Sequence, residues 1–464
     1  MVVKTQNTIQ GRDNLSLLNA DGSNSFMVSA LSDSLPTPIE ARDSDRPLRI
    51  GLLSYRGNPH CGGQGVYIRH LSRALCELGH RVDVIAGQPY PELDNGARLH
   101  RLPSLDLYNP EALFRTPSIR ELCNPINIVE WIGISTMGFS EPLTFGLRAF
   151  QRLRNGNGYD ILHDNQCLSY GIWALARRMP TVATIHHPIT VDRDLAVRAE
   201  RVLWKKFKHL RWYSFIGMQK RVAPVFRRII TVSDHARKDI SREFGIPAQR
   251  FSVVPNGIDT RLFHPLPGVE REPGRLIVTN SADIALKGLH ILLHALALLA
   301  PRRPQLRLVV VGMPKKKSPI HGLIRDLGLG QRVQFTGRIR QEAFVHQYAR
   351  AWAAVVPSLY EGFGLPAGEA MACGVPVIST TGGALPEVVG NAGLLVPPGD
   401  PRALAEAIAL ICDNPQRAQA LGRAGYERVM AHFTWTAAAR KTVAVYRRTI
   451  DDYRRLALPE PARR

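Results

Sequence analysis

The sequence predicts an α/β protein made of two consecutive parallel sheets, and three observations carry that expectation. The chain has 464 residues, whereas a single core usually serves about 100–200. Short β-branched runs alternate with stretches of helical periodicity, which is the order of βαβ units. The alternation stops at a proline-rich stretch and then begins again.

The elements follow in order. Residues 1 to 46 are rich in Ser, Asn and Asp and poor in aromatics, which suits a disordered tail outside the fold. Leu48 to Ser54 reads as a first strand. The turn Cys61-Gly62-Gly63-Gln64-Gly65 follows, then a helix from about Val66 to Leu78 that places Ile68, Leu71, Leu75 and Leu78 on one face. Gly79 stops that helix, and Arg81 to Ala86 is the next strand. Further strands are expected at residues 159–163, 181–187, 229–233 and 251–255. Pro255-Asn256-Gly257 is a strong turn signal, and the residues from there to Gly274 read as a connection. The second series has strands at 276–278, 306–312, 333–337, 353–357 and 375–379, with a long helix from about Gly288. The division is therefore 47–258, a link at 259–274, 275–430, and a basic helical end at 431–464.

Bulk properties narrow the function. Lys and Arg number 60 against 39 Asp and Glu, a formal charge of +21. Such an excess favours anionic partners, whether nucleotide phosphates, nucleic acid or a membrane surface. The six cysteines are scattered without C-x-x-C spacing, which argues against a zinc site or a disulfide framework and for reduced thiols in a cytoplasm. No apolar run reaches the roughly 18–20 residues that span a bilayer, and the N-terminus has no signal-peptide pattern.

The chemistry concentrates in one segment, Ser358 to Gly374. It follows a strand and contains a glycine-rich turn, a proline suited to a first helical turn, and Glu361 and Glu369 eight residues apart. Ligands of α/β sheets bind beyond the carboxyl ends of strands, where helix N-termini offer free N–H groups. A carboxylate at Glu369 can accept two hydroxyl hydrogen bonds from a vicinal diol such as a ribose, and Glu361 can hold sugar hydroxyls. A strand–turn–helix with two solvated glutamates would give the same spacing.

The run E-G-F-G-L-P-x-x-E-A-M-A-x-G-x-P-V-I resembles the E-x7-E signature of glycosyltransferase family 4. Gly382 to Glu387 resembles its downstream G-G-x-P-E element with one extra residue, Pro255 to Asp259 its P-N-G-x-D element, and Cys61-Gly62-Gly63 its N-terminal glycine loop. The likeness covers roughly residues 48 to 430. It implies the GT-B fold, two Rossmann-like domains facing across a cleft, and a retaining transfer of a hexose from a nucleotide-diphosphate sugar. The acceptor would sit mainly on the 47–258 domain and the donor on 275–430, with the end of the chain crossing back to the first domain. No cofactor or metal is implied; the nucleotide sugar is a substrate.

The resemblance also implies roles. Glu369 would contact the donor ribose. Glu361, with the backbone of Phe363, Gly364 and Leu365, would position the donor sugar. Lys287 would meet the diphosphate, where a cation stabilises the charge on the departing nucleotide; taken alone it reads as a surface lysine before a helix. His186, with His187 as the neighbouring alternative, would lie near the donor sugar, and Gly62 and Gly63 would let backbone approach phosphate or acceptor. One position departs from the pattern: Ala282 stands where the family usually has an arginine. Ser281 and Arg338 are the candidate replacements. Asp192-Arg193-Asp194 looks like a metal-binding D-x-D, but a turn or helix start fits its context better.

The positive charge gathers between Arg193 and Arg228, with Leu203, Phe207 and Leu210 on one helical face beside lysines. Basic amphipathic helices of this kind lie on anionic membranes, and a lipid-linked acceptor at the inner face would fit. The plain alternative is a helix packed on the first sheet. No nucleic-acid module is present. Two other functional readings are an epimerase or phosphorylase on the same fold, and a catalytically impaired membrane-associated scaffold, which only Ala282 favours.

Overall fold

A computed structural model describes residues 46–57, 63–109, 115–156, 158–200, 202–279, 284–315 and 317–457. The chain divides into two units, Met1–Arg46 and Pro47–Arg464. Residues 1–45 of the expected 1–46 tail lie outside the described residues, as do Gly62, Ser281 and Ala282.

The second unit holds two sheets. β1 (Arg49–Ser54), β2 (Arg81–Ala86), β3 (Arg98–Arg101), β4 (Ile161–Asn165), β5 (Thr181–Thr184), β6 (Ile229–Thr231) and β7 (Phe251–Val253) form the first, in the order 3-2-1-4-5-6-7. β8 (Arg275–Thr279), β9 (Arg307–Val311), β10 (Val333–Phe335), β11 (Ala353–Val356), β12 (Val377–Thr380) and β13 (Leu394–Val396) form the second, in the order 10-9-8-11-12-13. Neighbours pair in parallel throughout, for example Leu52 opposite Val84 and Ile277 opposite Val309. The sequence reading missed β3 and β13. The first is Arg-Leu-His-Arg at a sheet edge, with no apolar run, and the second is only three residues long.

The topology fixes where a ligand can bind. Strand order reverses between β1 and β4, and again between β8 and β11. Such switch points open a crevice at the carboxyl ends of the strands. In the second sheet that crevice is bounded by the chain after β8 and the chain after β11, which carry Lys287 and Glu361. In the first it is bounded by the ends of β1 and β4, with His186 just past the neighbouring β5.

The two halves are joined by two passes of the chain lying side by side. The Ile258 N–H donates to the Phe433 carbonyl at 2.6 Å, and Ile258 and Thr434 form an isolated parallel bridge. A Cβ on Gly257 would lie 2.4 Å from the Trp435 ring, so only glycine admits this crossing. After it, the helix Trp435–Ala457 packs on the helix Gly63–Glu77. Trp435, Ala439, Tyr446 and Ile450 share one core with Ile50, Leu52, Ile68 and Leu71. The end of the chain is thus part of the first sheet's outer layer.

β4 buries polar side chains, and His163 shows how one of them is accommodated. All five residues are buried, including His163, Asp164 and Asn165. Burial drives the His163 imidazole to about 3, so it is neutral. Both ring nitrogens are satisfied, Nδ1 by the Tyr446 hydroxyl and Nε2 by the Thr184 hydroxyl, each at 2.6 Å. A buried polar ring stays tolerable only when partnered in this way.

Candidate active site

The second sheet supplies the charged wall. After β8 a single turn of 3-10 helix, Ala285–Lys287, ends at Gly288, whose φ of +69° is left-handed. A Cβ there would lie 1.9 Å from the Pro357 carbonyl, so glycine lets the two strand ends close together. That approach brings Lys287 Nζ to 2.7 Å from Glu361 Oε1. The Ser358 hydroxyl donates to the same oxygen at 2.9 Å. Behind the pair, the Ala384 N–H donates to the Glu361 carbonyl at 2.8 Å, and Gly383 lies so close to Glu361 that a Cβ would meet its backbone at 2.2 Å. Glu361 is 9% exposed and held from several directions.

Glu369 is the fifth residue of the helix Leu365–Ala372. Burial pushes its carboxyl up to about 7, against the pull of Lys287. It has no hydrogen-bond partner among the described residues. A carboxylate so placed gains from a ligand that donates hydroxyls to it.

The first sheet supplies a neutral wall. His186 lies just past β5, and its Nε2 is 2.8 Å from Asn165 Oδ1. An amide oxygen can only accept, so Nε2 carries the proton and Nδ1 is the acceptor. Burial lowers this imidazole to about 3, and Tyr67 packs edge-on at 4.6 Å between ring centroids. Gln166 holds the backbone of both histidines. Its Oε1 accepts from the His186 N–H at 2.8 Å, and its Nε2 donates to the His187 carbonyl at 3.1 Å. Gln166 and Leu168 have φ of +57° and +50°, a conformation costly for non-glycine residues. The two walls meet where Gly362 faces His186 and His187, its Cβ position 3.4 Å from the His187 Cβ.

Not every expected residue joins this assembly. Phe363 is buried against Phe433, so only its backbone remains for a ligand. Gly364 has φ of +105°, and a Cβ would lie 2.7 Å from Leu385. Gly63 is the first residue of its helix and a Cβ there would meet nothing within 4 Å, so its glycine is not demanded by packing. Arg338 is exposed after β10 and makes no hydrogen bond or ion pair among the described residues. Asp192 to Asp194 lie in the helix Ile189–Ala199, where Arg193 pairs with Asp194.

The basic region is three helices, not one continuous face. In Phe215–Val222, Ile216, Met218 and Val222 are buried. Leu203–Trp212 is different. None of its residues is buried; Leu203 is 80% exposed, and Trp204, Phe207 and Leu210 are exposed with it. The helix packs on its neighbours at its end, where Trp212 stacks on Phe139, and leaves Leu203, Phe207 and Leu210 exposed.

Two parallel sheets of this order, with a lysine–glutamate pair at one switch point and a histidine wall opposite, define a GT-B glycosyltransferase. The comparisons agree. Residues 268–428 match the family described as Glycosyl transferases group 1, and residues 61–262 match Glycosyltransferase Family 4. An MMP alpha-(1->4)-mannosyltransferase from Mycolicibacterium hassiacum is 45% identical over 409 residues, covering 87% of this chain and 98% of its own. A D-inositol 3-phosphate glycosyltransferase from Catenulispora acidiphila is 30% identical over 449 residues, 89% of this chain and 98% of its own. Among solved structures, a sucrose-phosphate synthase from Thermosynechococcus elongatus superposes with a TM-score of 0.65 at 28% identity, over 87% of this chain and 100% of that one. The chain belongs to glycosyltransferase family 4 and is a glycosyltransferase that moves a sugar from a nucleotide-sugar donor. The scaffold alternative finds no support in these relatives.

The sequence assigns no role to Ser358, Gln166 or Glu387, although Ser358 opens the donor-site segment and Glu387 closes the G-G-x-P-E element. Ser358 could have been suspected from its place three residues before Glu361. Gln166 follows a buried strand end, and nothing in its neighbourhood marks an amide that reaches twenty residues ahead.

Proposed function

We propose that the chain is a retaining hexosyltransferase that works without metal or prosthetic cofactor. The Lys287–Glu361 pair at the switch point is the observation that carries this reading. In it, the donor lies mainly on residues 275–430 and the acceptor on 47–258, with 259–274 as the link and 431–464 returning to the acceptor side. Glu369 takes the ribose diol, Lys287 the diphosphate, and Glu361 the sugar hydroxyls. Arg338 or Ser281 supplies further phosphate contact. The bond from sugar C1 to the phosphate oxygen breaks, and the acceptor hydroxyl bonds to C1 on the same face. Its proton passes to the departing phosphate. Glu361 Oε1 is already engaged by Lys287 and Ser358, which favours a holding role over attack on C1. The neutral His186 adds no charge near the reacting carbon.

Mannose is the first donor sugar to test, because the 45% identical relative is named as a mannosyltransferase. The acceptor is a hydroxyl compound. A thermal-shift screen against UDP, GDP and ADP and their hexoses tests the reading, since a ligand at 100 times its dissociation constant stabilises by about 2.7 kcal/mol. NMR of the product anomer tests retention. No shift with any nucleotide, or inversion at C1, would defeat it.

The exposed helix Leu203–Trp212 supports peripheral docking on an anionic membrane at the cytoplasmic face. No helix among the described residues is long and apolar enough to cross a bilayer. Ile132, on the helix Pro125–Ser135, is also 54% exposed, and Arg211 bonds the hydroxyl of Thr136 at the end of that helix. Lysine headgroup contacts with apolar insertion account for such a surface. Reversing Lys205, Lys206 and Lys208 to Glu should abolish sedimentation with phosphatidylglycerol vesicles; a wild-type chain that does not sediment would refute docking.

A further inference from the structure

The turn that carries Glu361 is gripped from the first half of the molecule by one helix, Asp234–Phe244. Three contacts make the grip, and they bracket Glu361. On one side the Tyr360 hydroxyl donates to Asp239 Oδ2 at 2.9 Å, with the His235 ring edge-on to the Tyr360 ring. On the other the Ser233 hydroxyl donates to the Gly362 carbonyl at 2.9 Å. Behind it, the Glu387 carboxylate accepts from the backbone N–H of Asp234 and of His235, each at 2.7 Å. Glu387 lies on the short helix Leu385–Val389, which starts from Ala384, the residue that donates to the Glu361 carbonyl.

The chemistry suits an electrostatic clasp. The first N–H groups of a helix have no partner within it, and their aligned dipoles favour an anion. Ser233 caps one of them, accepting from the Ala236 N–H at 3.0 Å. The Asp234 and His235 N–H groups are left for Glu387. This carboxylate comes from the other sheet, so the bonds exist only while the two halves are docked.

We propose that Glu387 is a positioning residue: by clasping the N-terminus of the Asp234–Phe244 helix, it sets the Glu361 turn in its working place when the halves close. The inference rests on the reading of Glu361 as the group that holds the donor sugar. Nucleotide binding on Lys287 and Glu369 does not require the clasp, because both residues belong to the second sheet. The clasp therefore governs turnover more than nucleotide affinity.

The test is Glu387→Ala in the full chain, measured three ways. Hydrogen exchange of the peptide spanning residues 232–238 should quicken at least tenfold, with β1 and β4 unchanged. The turnover number should fall at least tenfold. The dissociation constants of UDP, GDP and ADP should each stay within threefold of wild type. Tyr360→Phe, which removes one hydroxyl and keeps the ring, should fall in turnover about threefold with the same unchanged nucleotide binding. Should Glu387→Ala not fold, Glu387→Gln and Tyr360→Phe decide the matter by the same readings. Unchanged exchange, turnover within twofold of wild type, or a loss confined to nucleotide affinity overturns the proposal. A wild-type chain that binds no nucleotide and transfers no sugar defeats the functional reading instead, and the exchange difference then decides the clasp alone.

Discussion

The two walls of the cleft are built on the same topology and carry opposite electrostatics. At the switch point of the second sheet, Lys287, Glu361 and Glu369 face one another, and Lys287 and Glu361 are paired at 2.7 Å. Beside that of the first, His163 and His186 are held near 3 by burial and stay neutral, and Asn165 and Gln166 bond through amides. Two halves of like topology thus carry unequal charge at their switch points. Charge is useful where a diphosphate departs, and a fixed cation there needs no reorganisation during the reaction. In the proposed reading, neutral dipoles beside the sugar carbon would place hydroxyls without adding a competing ion.

Removing the charge should produce the largest effect on this contrast. Lys287→Ala takes away the cation and leaves Glu361 with Ser358 alone. Turnover, followed by nucleotide release, should drop on the order of 10²–10³-fold, the range for a lost transition-state charge contact. A loss under threefold would mean that the charged wall does not serve the diphosphate. Glu369→Ala should come next. A hydrogen bond to a charged acceptor is worth about 1.5–3 kcal/mol, so the loss of one should weaken nucleotide-sugar affinity by calorimetry roughly tenfold to hundredfold. Inorganic pyrophosphate, which has no diol, should bind both proteins alike.

How much of each wall could be read in the sequence follows the same division. The charged wall was legible because its residues sit in a short run. Glu361 and Glu369 share one turn and helix, and Lys287 stands beside the glycine that ends a strand connection. In the neutral wall the sequence singles out His186 but no partner for it. Its partners Asn165 and Gln166 are about twenty residues away, joined through parallel pairing of β4 with β5. Tyr446 reaches His163 across 283 residues, a contact that only the return of the last helix creates. The strands were legible wherever they were apolar on both faces, as parallel strands are. β3 and the polar half of β4 broke that pattern, so the first was missed and the second was placed two residues early. Residues 281 and 282, where the missing arginine would stand, lie outside the described residues.

The neutral wall should respond more gently. Gln166→Ala removes both amide bonds to the histidine backbone while keeping the charge pattern intact. Turnover should fall about fivefold to tenfold, as expected for roughly 1–1.4 kcal/mol of lost hydrogen bonding, with nucleotide affinity unchanged. Gln166→Gly relieves the positive φ and loses the same bonds. If the glycine variant matches wild type, the backbone conformation matters and the amide does not.

The smallest effect is on stability, and its sign separates the walls. Glu369 ionises near 4.5 in an unfolded chain but near 7 when folded. Between those values the folded state keeps a proton that the unfolded state has lost, so this residue erodes stability as pH rises from 4.5 through 7. His186 does the reverse. It protonates near 6.5 when unfolded and near 3 when folded, so it erodes stability as pH falls from 6.5 toward 3. Glu369→Gln should therefore melt a few degrees above wild type at pH 8, at roughly 2–4 °C for each kcal/mol, and level with it at pH 4. For His186→Asn, the gap to wild type should narrow on going from pH 8 to pH 4. If the Glu369→Gln difference is the same at both pH values, the folded carboxyl is not held near 7. The charged wall would then cost the fold no more than the neutral one.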